Sequence, residues 1–498
     1  MPSIPTTTAR FRLRAVQPAP DLLRTVVLAL AVLALELVLA HSAASPQTSK
    51  LVILFVGVFA VALLLRFPLA TALALLAFTD FLFVGTYFAH QVGPVSVRPH
   101  EVALACLVGL AVLKPVKRTW GGATGAALAI FLALVTISAM IAVKSGRASL
   151  TEAFNAARPL ALLTLFWVVI RLFPESRQRR QLLLGAAVIA AATGIVAVLA
   201  SVGVGFARTL SEQGEQVLRS EANLGSVDRV RLPGLSLGYA LFWYSAVQIV
   251  ARRSWDRALW SALLVGIGLD IVVSFNRNMW IGIVLGMILM VVFGGAAVRS
   301  RITLTISLAV AAVAMIVIFG NAATTDRVVA PVLKRGETIL NPSKTASENS
   351  LQDRAKETRT AWATAQENLL FGVGAGAPFG VNSHEAVISD GQTVGYVLRP
   401  QLFLHNQYLY LLLIGGIGAP VAFVLFLGRP VVEAFRRRPR DPAILACGIG
   451  IALIMVSAVV AIYFTVEDMT AVLGVLAGVI TADTTGPAAD GERSGLLP

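Results

Sequence analysis

Apolar runs of membrane-spanning length alternate with short polar connections along almost the whole chain. They fall at about residues 22–41, 51–65, 67–88, 100–113, 121–143, 159–173, 182–204, 232–250, 258–275, 279–297, 302–320, 402–427, 443–465 and 469–483. Crossing the hydrocarbon layer takes roughly 20 such residues, and several of these runs are near the short end. The pattern predicts an all-α fold: a polytopic membrane helix bundle of about 12–14 transmembrane helices with a large extracytoplasmic loop domain. The run beginning at Met469 is the weakest, and Arg66-Phe67-Pro68 marks either a kink or a loop.

The polar segments divide the chain further. Residues 1–21 form a cytoplasmic N-terminal segment, 22–320 the first part of the bundle, 321–401 the large loop, 402–483 the last part of the bundle, and 484–498 a disordered tail. Orientation follows from the short basic connections. With the N-terminus in the cytoplasm, Lys114/Lys117/Arg118, Arg177/Arg179/Arg180, Arg252/Arg253/Arg257, Arg299/Arg301 and Arg436/Arg437/Arg438/Arg440 all fall on one side. The other side receives segments 205–231 and 321–401. The larger holds eight acidic and eight basic residues, so it is not a retained basic loop. Within it, Gln352 to Leu370 has a helical distribution, Gly372, Gly374, Gly376 and Gly380 follow, and a second polar stretch runs to Arg399-Pro400. A loop of about eighty residues between membrane helices is functional or disordered as a rule. Trp362, Phe371, Phe379 and Tyr396 favour an ordered cap.

Composition agrees: 57% of residues are hydrophobic and only 14% charged. The net charge of +14 would suit nucleic acid, but the basic residues sit in separate short loops, which excludes a continuous binding patch. Cys106 and Cys447 lie inside apolar runs, with no disulfide framework and no metal-ligand spacing around them. Arg10, Arg12 and Arg14 before the run from Leu22 imitate a signal peptide, but the run is too long and more spans follow, so it is an uncleaved first helix.

Four groups of polar residues converge on the outer boundary. His405, with Asn406 and Tyr408, sits where the large loop re-enters the membrane, and helical spacing puts His405 and Tyr408 on one face. A neutral imidazole there can take a proton from an alcohol; equally, it can bond loop backbone at a helix start. Arg277, in Ser274 to Trp280, lies between two apolar runs with almost no loop around it. A diphosphate matches its guanidinium fork, and the alternatives are snorkelling to headgroups or a salt bridge to Asp270, about two helical turns earlier. Arg231, followed by Pro233 at the start of a helix, offers a second anion contact or is an ordinary flanking arginine. Arg354 and Arg359 lie on the loop helix, ahead of the glycine run Gly372 to Gly376, where backbone can approach a ligand closely. Glu36, Asp80 and Asp270, in the outer halves of their helices, are further candidates to shape the site or pair with these arginines.

In order, these motifs are Arg231 to Gly234, Ser274 to Arg277, Arg354 to Trp362, Phe371 to Gly376 and His405 to Gly418, the last with Gly415 and Gly418 as a spaced pair. The set resembles the O-antigen ligase and O-antigen polymerase superfamily of bacterial membrane glycosyltransferases, over about residues 225–420. Asn276-Arg277-Asn278 stands where family members often carry Ser-Arg-Gly, and the helix count exceeds the family's twelve. The resemblance implies a metal-independent, inverting glycosyl transfer without cofactor, on the outer face of the bacterial inner membrane. The donor would be an undecaprenyl-diphosphate-linked glycan and the acceptor a glycan or lipid hydroxyl. By the same resemblance Arg277 and Arg231 hold the diphosphate and His405 positions or deprotonates the acceptor.

The alternative is a lipid-linked glycan transporter or flippase, which also needs membrane arginines. A transporter predicts polar residues along a path to the cytoplasm, whereas here the candidates crowd outward. A scaffold with an outer interaction domain predicts no site at Arg277 or His405.

Overall fold

The computed structural model describes residues 64–80, 90–92, 95–114, 120–201, 235–251, 255–274, 276–296, 298–300, 349–389, 392–400, 402, 404–436 and 441–485. The expected segment 1–21, the spans at 22–41 and 302–320, most of 51–65, the loop 205–231 and the tail beyond 485 lie outside them. The chain divides into two compact units, residues 1–70 and 71–498. Of the first, residues 64–70 are described and are helical except at Phe67.

From Thr71 on, within α1 (Pro68–Asp80), the second unit is a bundle of α-helices: α2 (Pro99–Leu113), α3 (Gly122–Lys144), α4 (Leu150–Ala161), α5 (Leu165–Leu172), α6 (Ser176–Ser201), α7 (Leu235–Ala251), α8 (Trp255–Val273), α9 (Arg277–Phe293), α10 (Asn349–Glu367), α11 (Gln407–Gly415), α12 (Gly418–Arg436), α13 (Pro442–Ser457) and α14 (Glu467–Thr485). Two antiparallel hairpins interrupt this helical fold: β1 (His90–Val92) with β2 (Val95–Val97), and β3 (Val381–Ser389) with β4 (Gln392–Pro400). The second occupies the polar stretch that runs to Arg399-Pro400. By length and composition the helices over 122–144, 150–172, 176–199 and 418–436 can each cross a membrane, and shorter apolar helices accompany them.

The span expected at 159–173 begins earlier, at Leu150. Ser149 caps that helix, its hydroxyl accepting the Glu152 N–H while the Glu152 carboxylate accepts the Ser149 N–H. Charge within the span is met inside the protein, because Arg158 Nε stands 2.8 Å from Glu101 Oε1. A 3₁₀ turn, Leu162–Thr164, then joins α4 to α5.

The run expected as one helix over 402–427 is two. Gly416 has φ +66°, a conformation side chains rarely adopt, and the Leu370 carbonyl presses against the place a Cβ would occupy. The returning loop therefore fills the break between α11 and α12, and Ile417 N–H bonds to the Leu369 carbonyl at 2.8 Å. Irregular backbone between apolar helices needs its polar groups satisfied by protein, as here.

The weakest apolar run becomes α14, a helix enclosed by other helices. It touches α4, α5, α7, α12 and α13 and is buried along nearly its whole length. A helix surrounded by protein need not present a lipid-compatible face, so Thr470 and Thr481 are accommodated inside. Helices also approach through glycines. Gly282 and Gly286, one turn apart on α9, receive the Tyr239 hydroxyl and the Trp243 indole of α7.

At one end of the bundle basic residues close helix C-termini. Arg171 donates to the carbonyls of Ala111 and Lys114, each at 2.7 Å, and its guanidinium lies 4.3 Å from the Trp120 ring centroid. At the other end of α3, Ser138 donates to the Phe371 carbonyl just beyond α10, and Gly374 lies against Ser138 and Ala142.

Candidate active site

His405 precedes α11 rather than lying on it. Asn406 is the N-cap, its side-chain oxygen accepting the Leu409 N–H at 3.1 Å. The expected shared helical face of His405 and Tyr408 therefore does not form. Tyr408 instead donates its hydroxyl to the Met455 carbonyl at 2.8 Å and sets its ring edge-on to Phe464. Of the two environments open to His405, a side-chain partner is present: Nδ1 stands 2.8 Å from Glu357 Oε2 on α10.

Arg277 is the first residue of α9. Asn276 caps that helix, its side chain accepting the Asn278 N–H at 3.2 Å. Arg277 is partly exposed, and neither carboxyl oxygen of Asp270 has a hydrogen-bond partner among the described residues. Asp270 is fully buried, close to Asp468 on α14 and packed against Gly194 of α6.

A chain of contacts puts Arg277 and His405 at the same end of the bundle. Just inside α9, Gly282 meets Tyr239, whose hydroxyl is 3.3 Å from Ser457 Oγ at the end of α13. There Ala458 accepts the N–H of Gln407, two residues after His405, at 2.9 Å.

The loop arginines separate. Arg354 Nη1 donates to the Val460 carbonyl at 3.2 Å, on the segment between α13 and α14, whereas Arg359 is exposed. The glycine run packs closely on protein backbone. Gly372, Gly374 and Gly376, all with positive φ, lie against backbone at Leu413, Ser138 and Glu152 respectively. Arg231 and Glu36 lie outside the described residues. Asp80 ends α1, and its side chain is outside them too.

Three features escaped sequence reasoning. Glu357 is one, with no local signal because 48 residues separate it from His405. Gln407 is another: fully buried, it donates to Leu404 and accepts from Phe464. The third is an ionic cluster at the start of α14, where Glu467 meets Arg98 at 2.7 Å and His100 Nε2 at 3.2 Å. Among the described residues no group of three or more His, Cys, Asp or Glu is arranged to hold a metal ion. The described side chains bring together an imidazole backed by a carboxylate, with Arg277 at the same end of the bundle.

Residues 261–427 match the protein family described as O-Antigen ligase. The matched segment runs from α8 into α12 and contains Asp270, Arg277, Arg354, Glu357, Arg359, His405, Asn406 and Tyr408. No curated protein matches the chain.

Proposed function

On the premise that residues 261–427 belong to the O-antigen ligase family of membrane glycosyltransferases, we propose that this protein moves a glycan from undecaprenyl diphosphate to an acceptor hydroxyl. The reaction takes place on the outer face of the bacterial inner membrane, with the N-terminus in the cytoplasm and the 321–401 segment over the outer surface. The observation that carries this reading is a carboxylate-backed His405 inside the matched segment, which also contains Arg277.

His405 takes the proton of the acceptor hydroxyl as its oxygen attacks the anomeric carbon. The bond to the diphosphate breaks on the opposite face, so the configuration inverts. The leaving undecaprenyl diphosphate carries away the bonding electron pair, and the imidazolium then loses its proton to water. Arg277 and Arg231 grip the diphosphate and offset the negative charge that builds on it, through bidentate contacts that an ammonium group does not reproduce. Arg354, Arg359 and Asp80 contribute to the sugar and lipid surroundings, Asp270, fully buried, shapes the site only through the packing of α8 against α6, and Asn406 and Tyr408 hold the entry to α11. Charge stabilisation falls to arginines, so the reaction needs no metal and no cofactor.

The test is transfer by the purified protein in liposomes, with a lipid-linked glycan donor. His405→Ala should lose about 10²–10⁴-fold in rate, the typical worth of general-base help, while remaining in the membrane. Full activity in that variant would end the reading of His405. Analysis of cells lacking the protein sorts the branch: free lipid-linked polymer means ligation, and single units still attached mean polymerisation. Unimpaired transfer with donor retained on the cytoplasmic face favours the flippase.

A further inference from the structure

The geometry points to Glu357 as the positioning residue for His405, an inference that rests on His405 taking the acceptor's proton. An ionised carboxylate only accepts hydrogen bonds, so at 2.8 Å from Glu357 Oε2 the Nδ1 of His405 must carry the hydrogen. That contact selects one tautomer, because the neutral ring then keeps its lone pair on Nε2. It also fixes the plane of the ring, and it stabilises the positive charge that the ring acquires when Nε2 takes the proton. The logic is that of a nucleophile's base oriented by a third group, applied to an acceptor hydroxyl.

The surroundings suit this role. The Glu357 side chain is 11% exposed and that of His405 29%, so the carboxylate sits behind the ring that meets the acceptor. Glu357 is held from its own helix. Arg354, three residues earlier on the same face of α10, donates to the Val460 carbonyl and ties α10 to the segment between α13 and α14. α10 also packs on α11. On the other side of His405, Asn406 and Gln407 fix the backbone through the α11 cap and the bond to Ala458. The large loop therefore supplies a part of the catalytic geometry to a histidine at the point where the chain returns to the bundle.

The experiment measures transfer kinetics for Glu357→Ala, Glu357→Gln, His405→Ala and the double variant Glu357→Ala/His405→Ala in liposomes. Glu357→Ala should lower kcat by about 10–100-fold, the usual cost of removing a group that orients a functional imidazole, with donor KM unchanged. Glu357→Gln keeps an acceptor oxygen for Nδ1–H but loses the charge, so it should fall between wild type and Glu357→Ala. The double variant should be no slower than His405→Ala, because a residue acting through the ring has nothing left to act on. Three results overturn the inference: wild-type kcat in Glu357→Ala, a raised donor KM with kcat unchanged, or a further loss in the double variant. A fully active His405→Ala is the separate outcome that defeats the underlying reading of His405.

Discussion

Gln407 Oε1 accepts the backbone N–H of Phe464 at 3.0 Å, joining the entry of α11 to the approach to α14. The same side chain donates to the Leu404 carbonyl, immediately before His405. One fully buried amide thus sets where His405 leaves the loop. Gln407→Leu removes both bonds and strands the Phe464 N–H and the Leu404 carbonyl, at roughly 1–3 kcal/mol for each buried group left unsatisfied. The variant should unfold at lower temperature in detergent and transfer glycan up to about 10²-fold more slowly, since small misplacements of a reacting group carry that cost. Wild-type melting and wild-type transfer together would show that Gln407 does not set the geometry.

Arg277→Lys keeps the charge at the start of α9 but replaces a planar fork with a point charge. Donor KM should rise and kcat should fall, because the same contact stabilises the leaving diphosphate as charge grows on it. Kinetics equal to wild type would remove Arg277 from the diphosphate. Chelation with EDTA should leave the wild-type rate unchanged, and a loss restored by Mg²⁺ would transfer the charge-stabilising role from the arginines to a metal.

Much of the bundle was legible, for a simple reason. Lipid demands uninterrupted apolar composition, so α3, α6 and α13 announce themselves by composition alone. What composition hid was wherever protein, not lipid, satisfies the chain. Glu152 and Arg158 precede the apolar run at 159–173, and the Ser149 cap and Glu101 are what bring them into the helix. The break at Gly416 hid inside a continuous apolar run, because its cause is a distant segment, Leu369 to Phe371, that docks there. The hairpin of β3 and β4 did carry a local signal. Ser389 pairs with Gln392 around Asp390-Gly391, a common two-residue hairpin sequence, but the surrounding residues lack the strong alternation that would have drawn attention to it. At the candidate site, His405 and Arg277 stood out because polar groups in membrane segments are costly. Glu357 lay on a soluble-looking helix, where a carboxylate is unremarked.

Gly416→Ala tests the break between α11 and α12. Its positive φ alone costs an alanine about 1–3 kcal/mol, and the new methyl also meets the Leu370 carbonyl. The variant should lose thermal stability and, by displacing the docked loop, slow transfer. Gly428→Ala on α12 is the control, since a Cβ there meets nothing within 4 Å. Equal stability of the two variants would mean that the docked loop adjusts freely.

Glu467 gathers Arg98 and His100 at the start of α14, and its side chain is only 7% exposed. Removing one member of a buried ion pair leaves the other uncompensated, which costs about 3–5 kcal/mol. Glu467→Ala should therefore destabilise the protein markedly, with a lower melting temperature in detergent. Arg98→Ala should cost less, because Arg98 is more exposed and Glu467 retains His100. Adding Arg98→Ala to Glu467→Ala should then cost little more than Glu467→Ala alone, since the acid that Arg98 served is already gone. Additive losses across the pair would show that the two residues stabilise the α2–α14 contact independently.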